Sequence, residues 1–191
     1  SSPCIRLGRV ELRVTGGEDG RGGQATEVPP EVMDELSALT AAQLDELKDL
    51  YLRVKKHKQI DVRSVDDMVK RFIKGFREEA SPLKLLASIK SAHEYTFTHV
   101  VNVGILTMAQ AEALGFTGEH LHQVGVASLL HDVGKLFIPE EILSKAGKLT
   151  DHERHIIESH TTKGARYLLG VEGVPKLAVL AALEHHRKFD G

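Results

Sequence analysis

The chain has 191 residues, of which 41% are hydrophobic and 27% are charged, a balance typical of a globular protein. Its formal net charge of -2 gives no electrostatic reason to bind a nucleic acid polymer or an anionic membrane. The single cysteine, Cys4, excludes an internal disulfide framework and favours a reducing, cytoplasmic location. The unusual feature is the number of histidines, 11, because histidine binds metals and exchanges protons near neutral pH.

The first 28 residues predict a small N-terminal segment with short β-strands, followed by a linker. Apolar and polar residues alternate through residues 5–14, as they do in strands. Residues 16–24 are rich in glycine and charge and contain nothing to bury, which indicates a loop. We interpret residues 1–28 as a regulatory segment with its linker.

Residues 29–91 predict a helical connector. Two prolines open it, as proline can at a helix start. Apolar residues then recur at helical spacing through residues 31–58, and three leucines among them are interpreted as core residues: Leu36, Leu47 and Leu50. The sequence of residues 40–43 resembles a capping box and predicts that this region forms two helices.

The rest of the connector predicts two further helices. One is expected over residues 64–79, with Asp66 and Asp67 in its first turn, where the helix dipole favours anions. Another begins at Ser81. We expect the connector helices to be able to form a dimer interface.

Residues 92–191 predict an all-α domain. No strand-like alternation follows residue 15, and glycines separate the expected helices, which are 96–114, 119–131, 139–146, 151–170 and 174–186.

Five histidines and one aspartate stand out in this domain: His99, His131, Asp132, His160, His185 and His186. Adjacent residues on a helix point about 100° apart, so His131 and Asp132 can share a metal centre only at a helix end. Gly134 is predicted to end that helix. Asp132 has two oxygens and can bridge two metals, and Lys135 adds a positive charge suited to an anionic substrate. The pair His185-His186 presents the same geometry.

The remaining histidines are interpreted as structural or surface residues: His57, His93, His120, His122, His152 and His155. His120 and His122 lie near a predicted helix start and are expected to be solvated. A set of imidazoles and a carboxylate without cysteine suits zinc, iron or manganese better than magnesium, which prefers oxygen ligands.

These residues carry a family resemblance. Residues 129–135, Leu-Leu-His-Asp-Val-Gly-Lys, resemble the metal motif of the HD superfamily, and residues 135–150 are similar to one branch of it, the HD-GYP domain. Other stretches match further blocks of that branch: 95–103, 160–164 and 185–191. The likeness covers about residues 92–191. The fold class it implies is an all-α, HD-type helical bundle, preceded here by the strand-like segment and the connector helices.

The resemblance implies a bacterial phosphodiesterase that hydrolyses cyclic di-GMP to linear pGpG, and onward to GMP, through a hydroxide activated by two metals. The implied cofactors are two divalent ions, iron or manganese, with zinc and nickel as alternatives. Asp132 would bridge the ions and Lys135 would bind the scissile phosphate, so these two are the expected catalytic residues. The implied metal ligands are His99, His131, Asp132, His160, His185 and His186.

Two departures from the family pattern qualify this expectation. The Gly-Tyr-Pro signature should follow Gly191, so we expect a domain incomplete at its C-terminus. Members with a third metal have a glutamate one turn before the first histidine, where this chain has Tyr95; Glu94 is adjacent but rotated by about 100°. We therefore predict two metals.

Two other functions stay open. The chain could bind a cyclic dinucleotide as a signalling module without cleaving it, or it could be an HD hydrolase of a mononucleotide. Expected partners are the cyclic dinucleotide and signalling proteins such as those of the GGDEF type; a nucleic acid polymer and a membrane are not expected.

Overall fold

The structure, a computed structural model, describes residues 30–78 and 95–188, and these residues form helices joined by loops, without a strand. The all-α prediction is therefore confirmed for this part of the chain. The predicted strands, the glycine-rich linker, the helix beginning at Ser81 and His93 lie outside the described residues. The elements are α1 (Pro30–His57), α2 (Val62–Glu78), α3 (Tyr95–Ala113), α4 (Gly118–Leu130), a 3₁₀ helix (Val133–Phe137), α5 (Glu140–Leu143), α6 (Asp151–Glu158), α7 (His160–Leu169) and α8 (Lys176–Glu184).

Helix α1 is continuous, so the predicted division at residues 40–43 is wrong. No glycine or proline interrupts the chain there, and a threonine within a helix can remain helical. The helix ends where Lys55, Lys56 and His57 complement its dipole. Lys58 then takes a left-handed conformation, with φ of 54°.

Helix α2 begins two residues earlier than predicted because Asp61 caps it. One Asp61 oxygen accepts a hydrogen bond from the Arg63 amide at 3.1 Å, and the other accepts from the Ser64 hydroxyl at 2.8 Å. Asp66 and Asp67 consequently lie beyond the first turn, contrary to the prediction. The bond from Ser64 is the main cause that lowers the pKa of the exposed Asp61 carboxyl.

Helices α1 to α4 enclose a hydrophobic core that continues onto α7 and α8. From α1 it includes Leu47 and Leu50, as predicted for these leucines, and the structure does not describe the side chain of Leu36. Helix α4 lies centrally, packing on α2, α3 and α8, while α7 packs on α8 and on the 3₁₀ helix. The first residues after α4 thus lie between the α3–α4 pair and the α7–α8 pair.

Two predicted helices are shorter or divided. The region 139–146 contains only the single turn α5 after the 3₁₀ helix. The region 151–170 forms two helices that meet at Ser159, which places His160 at the first position of α7. Among the described residues no helix is both long enough and apolar enough to cross a membrane.

Candidate metal centre

The pair His131-Asp132 lies at a helix end, as predicted. Helix α4 ends at Leu130, His131 keeps helical backbone angles, and Asp132 leaves them, with φ of -99° and ψ of 7°. The backbone then continues as the 3₁₀ helix. This change of path is what lets two adjacent side chains face the same space. His185 similarly follows the last residue of α8.

Gly134 does not end α4, and that prediction is wrong. It lies within the 3₁₀ helix, and its backbone touches the start of α7. A Cβ atom on Gly134 would lie 1.9 Å from the carbonyl oxygen of His160 and 2.7 Å from the amide nitrogen of Gly164. A Cβ on Gly164 would in turn lie 3.0 Å from the Gly134 nitrogen. Main-chain contact between two glycines therefore fixes Asp132 relative to His160.

The Asp132 carboxylate is the centre of the site. It is 1% exposed, and each of its oxygens faces a different set of side chains. Oδ1 lies 3.4 Å from Nε2 of both His160 and His185. Oδ2 lies 3.3 Å from His131 Nε2 and 3.9 Å from His99 Nε2. One buried carboxylate is thus shared between two sets of imidazoles.

Backbone carbonyls orient three of these imidazoles. His131 Nδ1 lies 2.7 Å from the carbonyl oxygen of Ser128, and His160 Nδ1 lies 2.5 Å from that of Ile157. His185 Nδ1 lies 3.0 Å from the carbonyl oxygen of Ala181. Because a carbonyl can only accept, each Nδ1 carries the proton. In a neutral imidazole this leaves the Nε2 lone pair aimed at Asp132. Such bonds commonly fix the tautomer and the ring orientation of metal-binding histidines.

The inward-facing atoms are mostly hydrogen-bond acceptors. Nε2 of His160 lies 3.1 Å from Nε2 of His185, although neither bears a proton in this tautomer. Asp132 Oδ1 is buried, and no donor in the described part of the chain makes a hydrogen bond to it. Lone pairs that converge without protons between them fit a cation. Nitrogen and carboxylate donors without sulfur suit a borderline transition metal.

The electrostatics keep Asp132 ionised. Burial by itself raises the pKa of its carboxyl, but the close imidazoles of His131, His160 and His185 outweigh burial and hold the pKa well below its usual range. Burial lowers the pKa of His99 and of His186, which favours their neutral, ligating form. His99 and His186 therefore present neutral nitrogens beside a fixed negative charge.

The ligand atoms form two groups that share Asp132. The His99 group consists of His99, His131 and Asp132, and the His186 group consists of Asp132, His160, His185 and His186. Within each group, one ligand atom per residue lies within 4.8 Å of the others. All six residues singled out in the sequence are therefore brought together. The side chain of Tyr95 is not described, and Glu94 lies outside the described residues.

Lys135 also lies at the centre. Its ammonium donates a hydrogen bond to Asp132 Oδ2 at 2.6 Å, and its side chain remains 25% exposed. The 3₁₀ helix places it three residues after Asp132, on the same side of the backbone. A cation with this reach can contact a bound anion beside the carboxylate.

Two clefts border the cluster, and both reach His186. One, of about 570 Å³, joins His99 and His131 to apolar residues of α3, α4 and α8, such as Val103 and Leu177. The other, of about 690 Å³, joins His160 to Arg154, Thr161, Thr162 and Arg187. Sequence reasoning missed both clefts, because their residues come from helices far apart in the chain and form no motif.

His122 is not solvated as predicted. Its side chain is 19% exposed, and its Nε2 lies 3.4 Å from Asp66 Oδ1, between α4 and α2. His57, His120, His152 and His155 are exposed, in agreement with their interpretation as surface residues. None of these histidines belongs to either ligand group.

The sequence is similar to several known proteins. Residues 83–191, more than half of the chain, match the model of the HD domain. A cyclic di-GMP phosphodiesterase of Pseudomonas aeruginosa is 37% identical over 132 residues, which cover 69% of this chain and 32% of that protein. A 3'3'-cGAMP-specific phosphodiesterase of Vibrio cholerae is 36% identical over 118 residues, covering 61% of this chain and 27% of the relative.

A cyclic di-GMP phosphodiesterase of Thermotoga maritima is 38% identical over 97 residues, covering 50% of this chain and 26% of that protein. The chain thus spans about a third or less of the length of these relatives. No solved structure matches it significantly. The matched residues contain the whole cluster from His99 to His186, and the resemblance to the HD superfamily is confirmed. The chain belongs to the HD domain family.

Proposed function

We propose that the chain carries the metal centre of a cyclic di-GMP phosphodiesterase, which opens the ring to linear pGpG and can continue to GMP. The observation that carries this proposal is Asp132, whose two oxygens face two separate sets of imidazoles. A carboxylate in this position can bridge two metal ions. The names of the relatives from Pseudomonas aeruginosa and Thermotoga maritima support the choice of substrate.

We assign one divalent ion to the His99 group and one to the His186 group, with Asp132 as the shared ligand. Iron and manganese are the proposed occupants, and zinc and nickel are the alternatives. Ions held in this way lower the pKa of water and neutralise charge on a phosphate. The neutral histidines leave much of the ions' positive charge available for that purpose.

The protein residues have separate tasks in this proposal. Asp132 fixes the spacing between the two sets of ligands, because its own position is fixed by the contact between Gly134 and Gly164. Lys135 turns its ammonium from Asp132 to a non-bridging oxygen of the scissile phosphate, where negative charge grows during attack. The reaction adds water across one P–O3′ bond: the water oxygen joins phosphorus, and the 3′ oxygen leaves as a hydroxyl.

The two clefts offer room for a substrate with two nucleosides. Both volumes fall in the range of about 300–1,000 Å³ usual for small-molecule sites. The apolar cleft beside His99 suits a base, and the cleft with Arg154 and Arg187 suits the second, negatively charged phosphodiester. A mononucleotide would leave one of them empty.

The metal assignment is tested by titrating the metal-free chain with Mn²⁺ and counting the bound ions. The wild-type chain should bind about two ions. Asp132→Ala should bind neither tightly and should lose turnover, whereas His99→Ala and His186→Ala should each keep one. His120→Ala, which changes an exposed histidine on α4, is the control and should bind as the wild type does. Full metal content and full turnover in Asp132→Ala would exclude the proposal.

A substrate panel tests the reaction. The similarity to a 3'3'-cGAMP-specific phosphodiesterase makes 3'3'-cGAMP the second candidate substrate. With Mn²⁺ or Fe²⁺ present, we expect cyclic di-GMP to be cleaved faster than 3'3'-cGAMP, and mononucleotides to be left intact. Binding of cyclic di-GMP without cleavage would instead favour the signalling module.

The wider organisation belongs to the same proposal. We infer that residues 92–191 carry the chemistry, that residues 29–91 connect them to the regulatory segment 1–28, and that the protein works in the cytoplasm. Signalling proteins of the GGDEF type are the proposed protein partners, and α1 and α2 are the proposed surface for a homodimer.

A further inference from the structure

Tyr51 links helix α1 to the candidate metal centre, although it lies outside residues 83–191, which match the model of the HD domain. It is 1% exposed, and its hydroxyl donates a hydrogen bond at 2.9 Å to the carbonyl oxygen of Leu129, 78 residues further along the chain. Leu129 lies two residues before His131. The Tyr51 ring also packs edge-on against Phe97, at 5.6 Å between ring centroids, and Phe97 lies two residues before His99. One side chain thus contacts both segments that supply the His99 group.

The bond to Leu129 is made in the last turn of α4. Leu129 lies in the last turn, where backbone carbonyls lack an intrahelical donor, and it is completely buried from solvent. Burial raises the pKa of Tyr51, and the negative charge of Asp132 raises it further, so the hydroxyl stays protonated and remains a donor. Without that donor the carbonyl would have to turn towards another partner, and His131 would move with it.

We propose that Tyr51 is a positioning residue, whose hydroxyl holds the end of α4 so that His131 and His99 present their nitrogens to the same metal ion. This inference rests on the proposed metal site. It predicts an unequal effect, because the hydrogen bond and the ring contact of Tyr51 are made to the segments just before His131 and His99, which both belong to the His99 group. Helix α1 would then set the affinity of one metal ion and leave that of the other unchanged.

The test is Tyr51→Phe, which keeps the ring and removes only the hydroxyl. Tyr167→Phe is the matched control: the Tyr167 hydroxyl is also buried, and it has no hydrogen-bond partner within the described residues. Mn²⁺ dissociation constants are measured by competition with a chelator, and the spin-coupled Mn²⁺ pair is followed by electron paramagnetic resonance. Tyr51→Phe should bind one of its two ions about tenfold more weakly, in the range that groups orienting metal ligands contribute.

A double-mutant cycle identifies which ion is affected. In the His99→Ala background only the His186 group is complete, so adding Tyr51→Phe should cause no further loss of affinity. Tyr167→Phe should leave both constants and the paramagnetic signal unchanged. Thermal unfolding of each variant shows that it remains folded.

The outcomes separate the two proposals. Equal weakening of both ions in Tyr51→Phe, or unchanged binding, overturns the positioning role and leaves the metal centre intact. A wild-type chain that binds no metal overturns the metal centre and, with it, the role of Tyr51.

Discussion

Gly134 and Gly164 show how single residues set the geometry of the site. Their backbones touch where the 3₁₀ helix meets α7, so neither can carry a side chain without moving a ligand segment. The sequence predicted a different role for Gly134, as the residue that ends α4, because glycine next to a helix usually has that role. The contact joins residues 30 positions apart, and local sequence patterns do not show which distant residues touch each other.

Gly134→Ala should destabilise the protein by at least about 2 kcal/mol, since the new Cβ would meet backbone atoms that cannot turn away. Urea unfolding of the metal-free chain measures this. Gly170→Ala is the control, because there the added Cβ would approach nothing closer than the Tyr167 carbonyl oxygen, at 3.5 Å. We expect it to change stability by less than about 1 kcal/mol. Similar values for the two variants would contradict the role given to the contact.

The proposed ligand residues could be chosen from the sequence, because His131-Asp132 and His185-His186 follow apolar helical runs and resemble a family motif. The carbonyls that orient their rings could not. Ser128, Ile157 and Ala181 accept these bonds through the backbone, so their side chains carry no signal of the role.

At the scale of elements, helix positions in the C-terminal half were predicted well, while caps and breaks were not. The sequence suggested a capping box at residues 40–43, whereas the structure has one at Thr150 and Glu153. Both stretches have the spacing of the motif. The two stretches differ in the backbone that precedes them. Gly147, with φ of 144°, is not helical and lies just before Thr150, whereas the residues before Thr40 already belong to helix α1. A capping box forms only where the residues before its threonine are not helical, so that the threonine is the first residue of the helix boundary.

Glu153 should make stability depend on acid pH. Hydrogen bonds from Lys145, and then from the Thr150 amide, lower its pKa from 4.5 to about 2. A lowered pKa means that the folded state binds the proton less readily than the unfolded state. The stabilisation is therefore complete above pH 4.5 and is lost as the pH falls through about 2.

The measurement is the difference in free energy of unfolding between the wild type and Glu153→Gln, determined from neutral pH down to pH 2. The difference should be constant near neutrality and should shrink as the carboxyl takes up its proton. Glu172→Gln, at an exposed loop position, serves as the control and should show no comparable trend. A difference independent of pH would show that the ionised carboxylate adds nothing to the cap.

At the scale of the whole molecule, helix α1 belongs to the same core as α3 and α4, with Leu47, Leu50 and Tyr51 buried among them. The sequence predicted that these leucines would be buried but could not indicate their partners, because amphipathic spacing gives the buried face of a helix without the surface that covers it. The same limit hid the contact between Tyr51 and Leu129. The helical periodicity of the sequence was enough to predict an all-α architecture. The position of α1 against α3 and α4 could be seen only in the three-dimensional structure.

Metal binding should stabilise the whole fold, since the ligands come from helices that are separated in the unfolded chain. At about 100 times the dissociation constant, a bound ion adds about 2.7 kcal/mol. For a chain of this length the midpoint of thermal unfolding should rise by about 5 °C or more with Mn²⁺. Mg²⁺ should raise it less, because it prefers oxygen ligands.

Calorimetry of the wild type and of Asp132→Ala provides the comparison. The variant should show no metal-dependent rise, because it lacks the ligand that both groups share. An equal rise of the unfolding midpoint in the two proteins would mean that the stabilising ion binds outside the cluster around Asp132.

The composition of the cluster has a consequence for the entry of substrate. Its five imidazoles are uncharged as ligands, and Asp132 is the single carboxylate in either group. When both groups are filled, most of the charge on the ions is left uncompensated. The centre then attracts anions over a distance set by the ionic strength, roughly 8 Å in physiological salt. The association rate of cyclic di-GMP, which carries two negative charges, should accordingly fall as salt is added. Inorganic phosphate, also an anion, should compete with it for the metal centre.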